Sequence, residues 1–348
     1  MKKTAPAFTN SATDAVFASH ASPTTISPSG EVLSHHDIKQ LLQDWLYEGQ
    51  FSFHSPRTTE FRRHVGDKLL WFLDRQERLV CETSDLRQFL AYAVEGHSEA
   101  DGRWGNARMT KPLRSATVHR YYRELRTFFH WVVKEGRLSV SPMTKIAPPQ
   151  MRSEQVQPFT PEQQSALVSA SRKSTHPRRD EAIVLFLLDT GVRASELCAL
   201  KMSDLDLQQR RCTVLGKGSK RRSIFFGRAS SKALWQYLRE HPRDDNDFVF
   251  LSDRGGRAGE PLTRSGLLQL VRRLGIAAKI QAARCSPHTF RHTFAVEFLR
   301  NGGNVFSLQQ MLGHTSLHMT NRYVALAQAD IENQHRQFSP ADRLKRSG

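Results

Sequence analysis

Cysteine is scarce in this chain. The four that occur (Cys81, Cys198, Cys212 and Cys285) are scattered, with no C-x-x-C pair among them. That spacing excludes a structural zinc site of the usual kind and fits a reducing compartment. Long apolar runs are also missing: none approaches the roughly 20 residues that a membrane-spanning helix needs. Lys2 and Lys3 carry the charge of a secretory leader's start, but Pro6, Thr9, Asn10 and Ser11 break any apolar stretch behind them. The expected location is the cytoplasm, with no membrane partner. No G-x-x-x-x-G-K-[ST] phosphate loop occurs, and Gly216-Lys217-Gly218 is not one, so nucleotide hydrolysis through that motif is excluded. Acidic residues are the last shortage. They number 34 against 51 lysines and arginines, a formal net charge of +17. Such a surplus favours a polyanionic partner, with DNA or RNA foremost.

A chain of 348 residues is long enough for about two domains. Residues 1–30 are rich in Ser, Thr, Ala and Pro and read as a disordered tail. From 31 to 147 the pattern is helical. Ser55-Pro56 opens one helix, with Phe61, Val65, Leu69, Phe72 and Leu73 on a single stripe. A second begins near Ser84 and turns Leu86, Phe89, Leu90 and Ala93 inward. A third starts near Ser115, with Val118, Tyr122, Leu125, Phe129 and Val132 on its buried side. The polar, Gly-containing segment from Gly96 to Pro112 reads as a long loop. Arg114, Arg120, Arg123 and Arg126 fall on other faces of the third helix. They are either solvated surface or phosphate contacts.

Residues 148–158, with prolines, polar residues and no periodicity, read as a linker. The second domain is expected over 159–330, followed by a tail at 331–348. Thr160-Pro161-Glu162-Gln163 has the form of a capping box. Ala182 to Leu188 reads as a buried helix, Thr190-Gly191 breaks it, and Ala194 to Leu200 restarts one. Cys212–Leu215 and Ser223–Phe226 form two short strand candidates around a Gly-punctuated turn that holds Lys217, Lys220 and Arg221, with Arg222 just beyond. Helices resume near Ser231, Thr263 and Ser286, and Gly302-Gly303 closes the last of these. The fold class expected is mainly α, with a small antiparallel β-sheet in the C-terminal domain.

The segment Ser286-Pro287-His288-Thr289-Phe290-Arg291-His292 carries the most chemistry. Ser286 suits an N-cap and Pro287 a first helical position. His288 and Arg291, three apart, share a face beside a helix N-terminus, where free N–H groups favour an anion. Phe290, Phe294 and Phe298 occupy a different face and read as core. His288 and His292 as metal ligands would lack a third ligand and a general-base glutamate between them. Arg193 follows the Thr190-Gly191 break, with Glu196 three residues on; Lys217 sits in the hairpin turn; His314 follows Gly313; Tyr323 lies nine residues later. Each alone has a bland alternative: a surface ion pair, a solvated turn, a helix-stop histidine, a core tyrosine.

Together they are far more specific. The chain reads Thr190-Gly191-Val192-Arg193-Ala194-Ser195-Glu196-Leu197, Gly216-Lys217-Gly218, His288-x-x-Arg291, Leu312-Gly313-His314-Thr315-Ser316 and Tyr323. In this order and context the set resembles the tyrosine recombinase (phage integrase-like) family, and within it the compact Xer-like and transposon-borne members. The resemblance implies a two-domain DNA clamp: a helical, SAM-like core-binding domain over 31–147 and a catalytic domain over 159–330. It implies that Arg193 and Arg291 hold the scissile phosphate, that His314 adds a hydrogen bond, and that Tyr323 is the nucleophile. Lys217 would be the general acid, His288 a general base or proton-balancing group, and Glu196 an orienting group. The partner implied is double-stranded DNA bearing a specific recombination site, bound by a synaptic tetramer, with a second recombinase or accessory protein left open. No cofactor and no metal is implied. Type IB topoisomerases share a similar site, and a catalytically silent DNA-binding protein could share the fold. The tail at 331–348 would dock on a neighbouring protomer or pack on its own. No separate arm-binding domain is expected ahead of residue 31. Ser223-Ile224-Phe225-Phe226-Gly227 departs from the Val-Pro-Leu common in relatives, which leaves the hairpin register open.

Overall fold

The structure, a computed structural model, describes residues 32–151, 156–216, 221–240, 242–253, 258–281, 283–314, 316–327, 335–336 and 339–341. The chain divides into two compact units, Met1–Glu154 and Gln155–Gly348.

In the first unit a two-residue strand β1 (Leu33–Ser34) pairs antiparallel with β2 (Val80–Cys81). Four helices follow the apolar stripes: α1 (His35–Phe51), α2 (Pro56–Arg75), α3 (Thr83–Val94) and α4 (Ser115–Lys134). The start of α1 is a reciprocal cap. The Ser34 hydroxyl accepts from the Asp37 N–H, and the Asp37 carboxylate accepts from the Ser34 N–H. Ser55 caps α2 through its hydroxyl, with Pro56 in the first turn. Leu69, Phe72, Leu86, Phe89, Phe128 and Phe129 close the core between these helices.

The segment 96–112 is more than a polar loop. Trp104 is buried in the same core, its ring 5.8, 5.3 and 5.0 Å from those of Trp71, Phe89 and Tyr92. Arg103 is buried beside it and donates to the Lys111 carbonyl at 2.6 Å. Gly102 makes the turn possible: its φ is +59°, and a Cβ there would lie 2.2 Å from the Asn106 carbonyl oxygen. One tryptophan carries enough apolar area to seat an otherwise hydrophilic stretch, and composition averaged over the segment conceals it.

The second unit starts on α5 (Pro161–Arg172), whose Thr160–Gln163 capping box is formed on both sides. Next come α6 (Pro177–Thr190), the short α7 (Ala194–Cys198) and a three-stranded sheet in the order β3 (Leu205–Asp206), β4 (Arg211–Leu215), β5 (Arg221–Phe225). The sheet has one strand more than the sequence pattern predicts, because two residues are too few to show a period. The β4–β5 register pairs Thr213 with Ser223 and Cys212 with Ile224, so Cys212, Val214 and Ile224 face the core. The absence of Val-Pro-Leu therefore leaves the hairpin ladder intact. Lys217 and Lys220 lie outside the described residues.

Among the described residues, five further helices follow: α8 (Arg228–Glu240), α9 (Arg264–Ala277), α10 (Pro287–Arg300), α11 (Val305–Leu312) and α12 (His318–Ala327). Helix α8 begins three residues before the expected Ser231, whereas Thr263 and Ser286 are the N-caps of α9 and α10. Away from the sheet, Arg179 on α6 is buried with Asp180 and also pairs with the partly buried Asp253. Its Nη2 donates to Asp180 Oδ1 at 2.6 Å and to Asp253 Oδ2 at 2.9 Å. Among the described residues, no helix is long and apolar enough to cross a membrane.

Candidate active site

Two left-handed glycines position the site. Helix α6 stops at Gly191 (φ +57°) and α11 stops at Gly313 (φ +63°), the αL cap that glycine adopts without penalty. Each turn releases the chain directly before a site residue: Arg193 two positions after Gly191, His314 immediately after Gly313. Helix α10 contributes from its first two turns. Its N-cap Ser286 accepts from the Thr289 N–H, and Pro287 fills the first helical position.

Arg291 lies inside the unit, only 3% exposed. Its Nη1 donates to the Gly191 carbonyl at 2.9 Å and its Nη2 to the Leu312 carbonyl at 2.7 Å, so one guanidinium joins the two glycine-capped helix ends. Burial and the neighbouring Arg193 charge pull it down to about 10, which leaves it a cation at neutral pH. His288, three residues earlier on α10, is exposed. The shared helical face thus splits by depth: the histidine stands at the mouth and the arginine at the base.

Arg193 is the N-cap of α7. Its backbone N–H donates to Glu196 Oε2 at 2.8 Å, and its Nη1 to Glu196 Oε1 at 2.8 Å. Its Nη2 donates to the Gly313 carbonyl at 3.2 Å, and its side chain remains about one-third exposed. Glu196 is buried and also receives both ends of the Arg222 fork, each at 2.7 Å. Burial alone would raise its carboxyl. The hydrogen bonds from Arg222 and Arg193 outweigh that and hold it below the usual glutamate range. Arg222 Nε donates to the Met311 carbonyl at 2.9 Å. Three consecutive carbonyls at the end of α11 (Met311, Leu312, Gly313) therefore each accept from a different arginine (Arg222, Arg291, Arg193). Exposed helix-end carbonyls carry the negative end of the helix dipole, so they suit cations.

Tyr323, on α12, is fully buried among Phe294, Val296, Leu308 and Leu312. Its ring stacks on His314 at 6.1 Å between centroids and meets the His292 ring edge-on at 5.1 Å. His292 in turn meets His288 at 5.0 Å. His314 Nδ1 is 2.9 Å from the Thr320 hydroxyl, which fixes its ring against α12. The structure thus brings Arg193, Glu196, Arg291, His314 and Tyr323 to one region, with His288 at its edge. His292, weighed from the sequence only as a metal ligand beside His288, is the ring that links His288 to Tyr323. Its signal was the four-residue spacing from His288, which places both on one helix face.

Of the expected DNA contacts, Arg114, Arg123 and Arg126 are exposed. Arg120 is exposed and lies 3.4 Å over the Phe61 ring, a cation–π contact that holds its charge at the surface. Arg221 is largely exposed, 3.7 Å from Asp204. Arg222 is different. All three of its nitrogen positions are engaged with Glu196 and Met311, and its side chain is 13% exposed. It faces inward because a buried carboxylate needs a bidentate cation more than the solvent-facing strand edge does.

Residues 157–330 match the model of the phage integrase family. The chain is 35% identical over 231 residues to tyrosine recombinase XerD of Listeria innocua, covering 64% of this chain and 76% of that protein. It is 33% identical over 267 residues to tyrosine recombinase XerD of Listeria monocytogenes, with coverage of 74% and 83%. Among solved structures, the Tn1549 transposon integrase in complex with transposon right-end DNA superposes with a TM-score of 0.65 at 20% identity, covering 87% of this chain and 99% of that one. That likeness shows the fold.

Proposed function

The chain belongs to the phage integrase family, and from that premise we infer that it is a site-specific DNA recombinase that cuts and rejoins strands through a 3′-phosphotyrosyl link. The observation that carries the assignment is the convergence of two arginines, a histidine and a tyrosine on the carbonyl-lined end of α11.

In this reading the Tyr323 oxygen attacks the scissile phosphorus and the bond to the 5′-oxygen breaks. Charge builds on the non-bridging oxygens, where Arg193 and Arg291 donate with His314 beside them. Guanidinium suits that task because its planar fork matches phosphate and stays charged. The tyrosine proton leaves to a base, for which the exposed His288 is the candidate. The 5′-oxygen takes a proton from Lys217, the candidate general acid. The phosphodiester energy is retained in the phosphotyrosine, so a second 5′-hydroxyl reverses the step without ATP.

The partner is double-stranded DNA with a recombination site, as the Tn1549 integrase binds its transposon end. Its place is the cytoplasm, where that DNA lies. The unit with α1–α4 would bind core DNA, residues 159–330 would carry the chemistry, and 148–158 would join them. Four copies would form the synapse, with the tail at 331–348 reaching a neighbour. A duplex nicked near the crossover point tests the chemistry. Wild-type protein should become covalently trapped on it, and Tyr323→Phe should not. Undiminished trapping by Tyr323→Phe would refute the assignment.

A further inference from the structure

Arg222 is mostly buried, yet its side chain makes more hydrogen bonds to the site's framework than that of either phosphate-facing arginine. Both oxygens of Glu196 accept from its fork, and the Met311 carbonyl accepts from its Nε. Arg193 by contrast sends one guanidinium nitrogen to Glu196 and another to Gly313, with a third of its side chain open. Glu196 thus sits between two arginines that play unequal parts. One holds the carboxylate; the other is held by it. We propose that Arg222 is a positioning residue for the recombination chemistry: it locks Glu196 and the end of α11 so that Arg193 is oriented toward the scissile phosphate rather than drawn into a closed pair with Glu196.

The electrostatics give the reason. A buried carboxylate seeks bidentate pairing. With Arg222 in place, that demand is met from the sheet side, and Arg193 contributes one side-chain bond. Without it, Arg193 is the one cation still hydrogen-bonded to Glu196, and its fork closes on both oxygens and away from the phosphate. The same side chain also braces the αL turn before His314. A Cβ on Gly313 would lie 3.2 Å from the Arg222 side chain, so the guanidinium packs flat against that turn.

The proposal rests on the recombinase reading, and the test separates the two. Single-turnover cleavage of the nicked duplex is measured for wild type, Arg222→Met and Arg222→Lys, alongside duplex affinity and melting temperature. Both variants should cleave at least about tenfold slower, because a lost or misplaced transition-state donor costs that much or more. Affinity should change by less than about threefold, since each lost phosphate contact would have weakened binding and its salt slope instead. Arg222→Lys keeps the charge and the stem, and so supplies the same test should Arg222→Met fail to fold.

The diagnostic measurement replaces the scissile phosphate by a methylphosphonate, which removes one charged non-bridging oxygen. If Arg222 positions Arg193, the penalty for that replacement should shrink in the Arg222 variants, and adding Glu196→Gln to Arg222→Met should restore part of the rate. A merely structural residue would lower the melting temperature and leave the methylphosphonate penalty at its wild-type size. That result, or wild-type cleavage rates in both variants, overturns the proposal. Failure of wild-type protein to form any covalent complex would instead overturn the recombinase reading.

Discussion

Replacing Gly191 by alanine tests whether the site's geometry depends on that single turn. Two costs add. The residue has φ +57°, where an L-residue other than glycine loses roughly 1–2 kcal/mol. The new Cβ would also lie 2.5 Å from Cδ1 of Phe294, and 3.0 and 3.2 Å from its Cγ and Cβ. Phe294 is itself packed in the core with Tyr323, so its ring has little room to retreat. Forcing a methyl into such a core costs about 1–3 kcal/mol. Gly191→Ala should therefore destabilise the second unit by about 2–5 kcal/mol, the sum of those two ranges.

Gly302 supplies the control. Its φ is +84°, and a Cβ there meets nothing within 4 Å, so Gly302→Ala should show the backbone cost alone. The change in unfolded-chain entropy is common to both substitutions and cancels in the comparison. Hydrogen exchange of the α6 and α10 peptides under increasing urea reads this unit separately from the first. Gly191→Ala should lose about 1–3 kcal/mol more than Gly302→Ala. Cleavage should fall with it, since Arg291 bonds to the Gly191 carbonyl. Equal losses in the two variants would refute the packing argument and leave the turn conformation as the whole effect.

Arg179→Ala should cost about 3–5 kcal/mol, because it strands the buried Asp180 carboxylate, and the double variant Arg179→Met/Asp180→Leu should recover most of that loss in a thermal melt. Trp104→Ala should cost about 3–5 kcal/mol in the first unit and reduce the near-ultraviolet circular dichroism; a loss under about 1 kcal/mol would mean that 96–112 is a plain surface loop after all. Glu196 has a folded pKa below its ordinary 4.5, so its ion pairs stabilise the protein above that value, and the contribution disappears as pH falls through the lowered folded value. Urea midpoints of wild type and Glu196→Gln should accordingly converge as pH drops below 4.5, and a gap that stays constant to acid pH would count against the pairing.

Much of the site was legible in the sequence because its members are tied to local signals. Gly191 and Gly313 announce helix ends, Ser286-Pro287 announces a helix start, and Arg193–Glu196 is a three-residue capping spacing. Arg222 was not legible. Its partners lie 26 and 89 residues away, and a basic hairpin normally points to solvent. The depth difference between His288 and Arg291 escaped for a related reason: a shared helical face gives direction, whereas burial is set by what other helices lay over it. Trp104 escaped because one aromatic in a polar stretch does not alter the average, although it decides where the stretch folds. The strand β3 escaped for want of length.

The three carbonyls at the end of α11 also bear on how freely this enzyme can drift. Arg222, Arg291 and Arg193 grip main-chain oxygen, which every amino acid supplies alike. The side chains of Met311 and Leu312 can therefore change with the surrounding core while the hold on the arginines persists. Gly313 has less latitude, because it holds a left-handed φ of +63° and a Cβ there would press within 3.2 Å of the Arg222 side chain. Mutational scanning of α11 should reveal that asymmetry: broad apolar tolerance at 311 and 312, followed by an abrupt demand for glycine one position later.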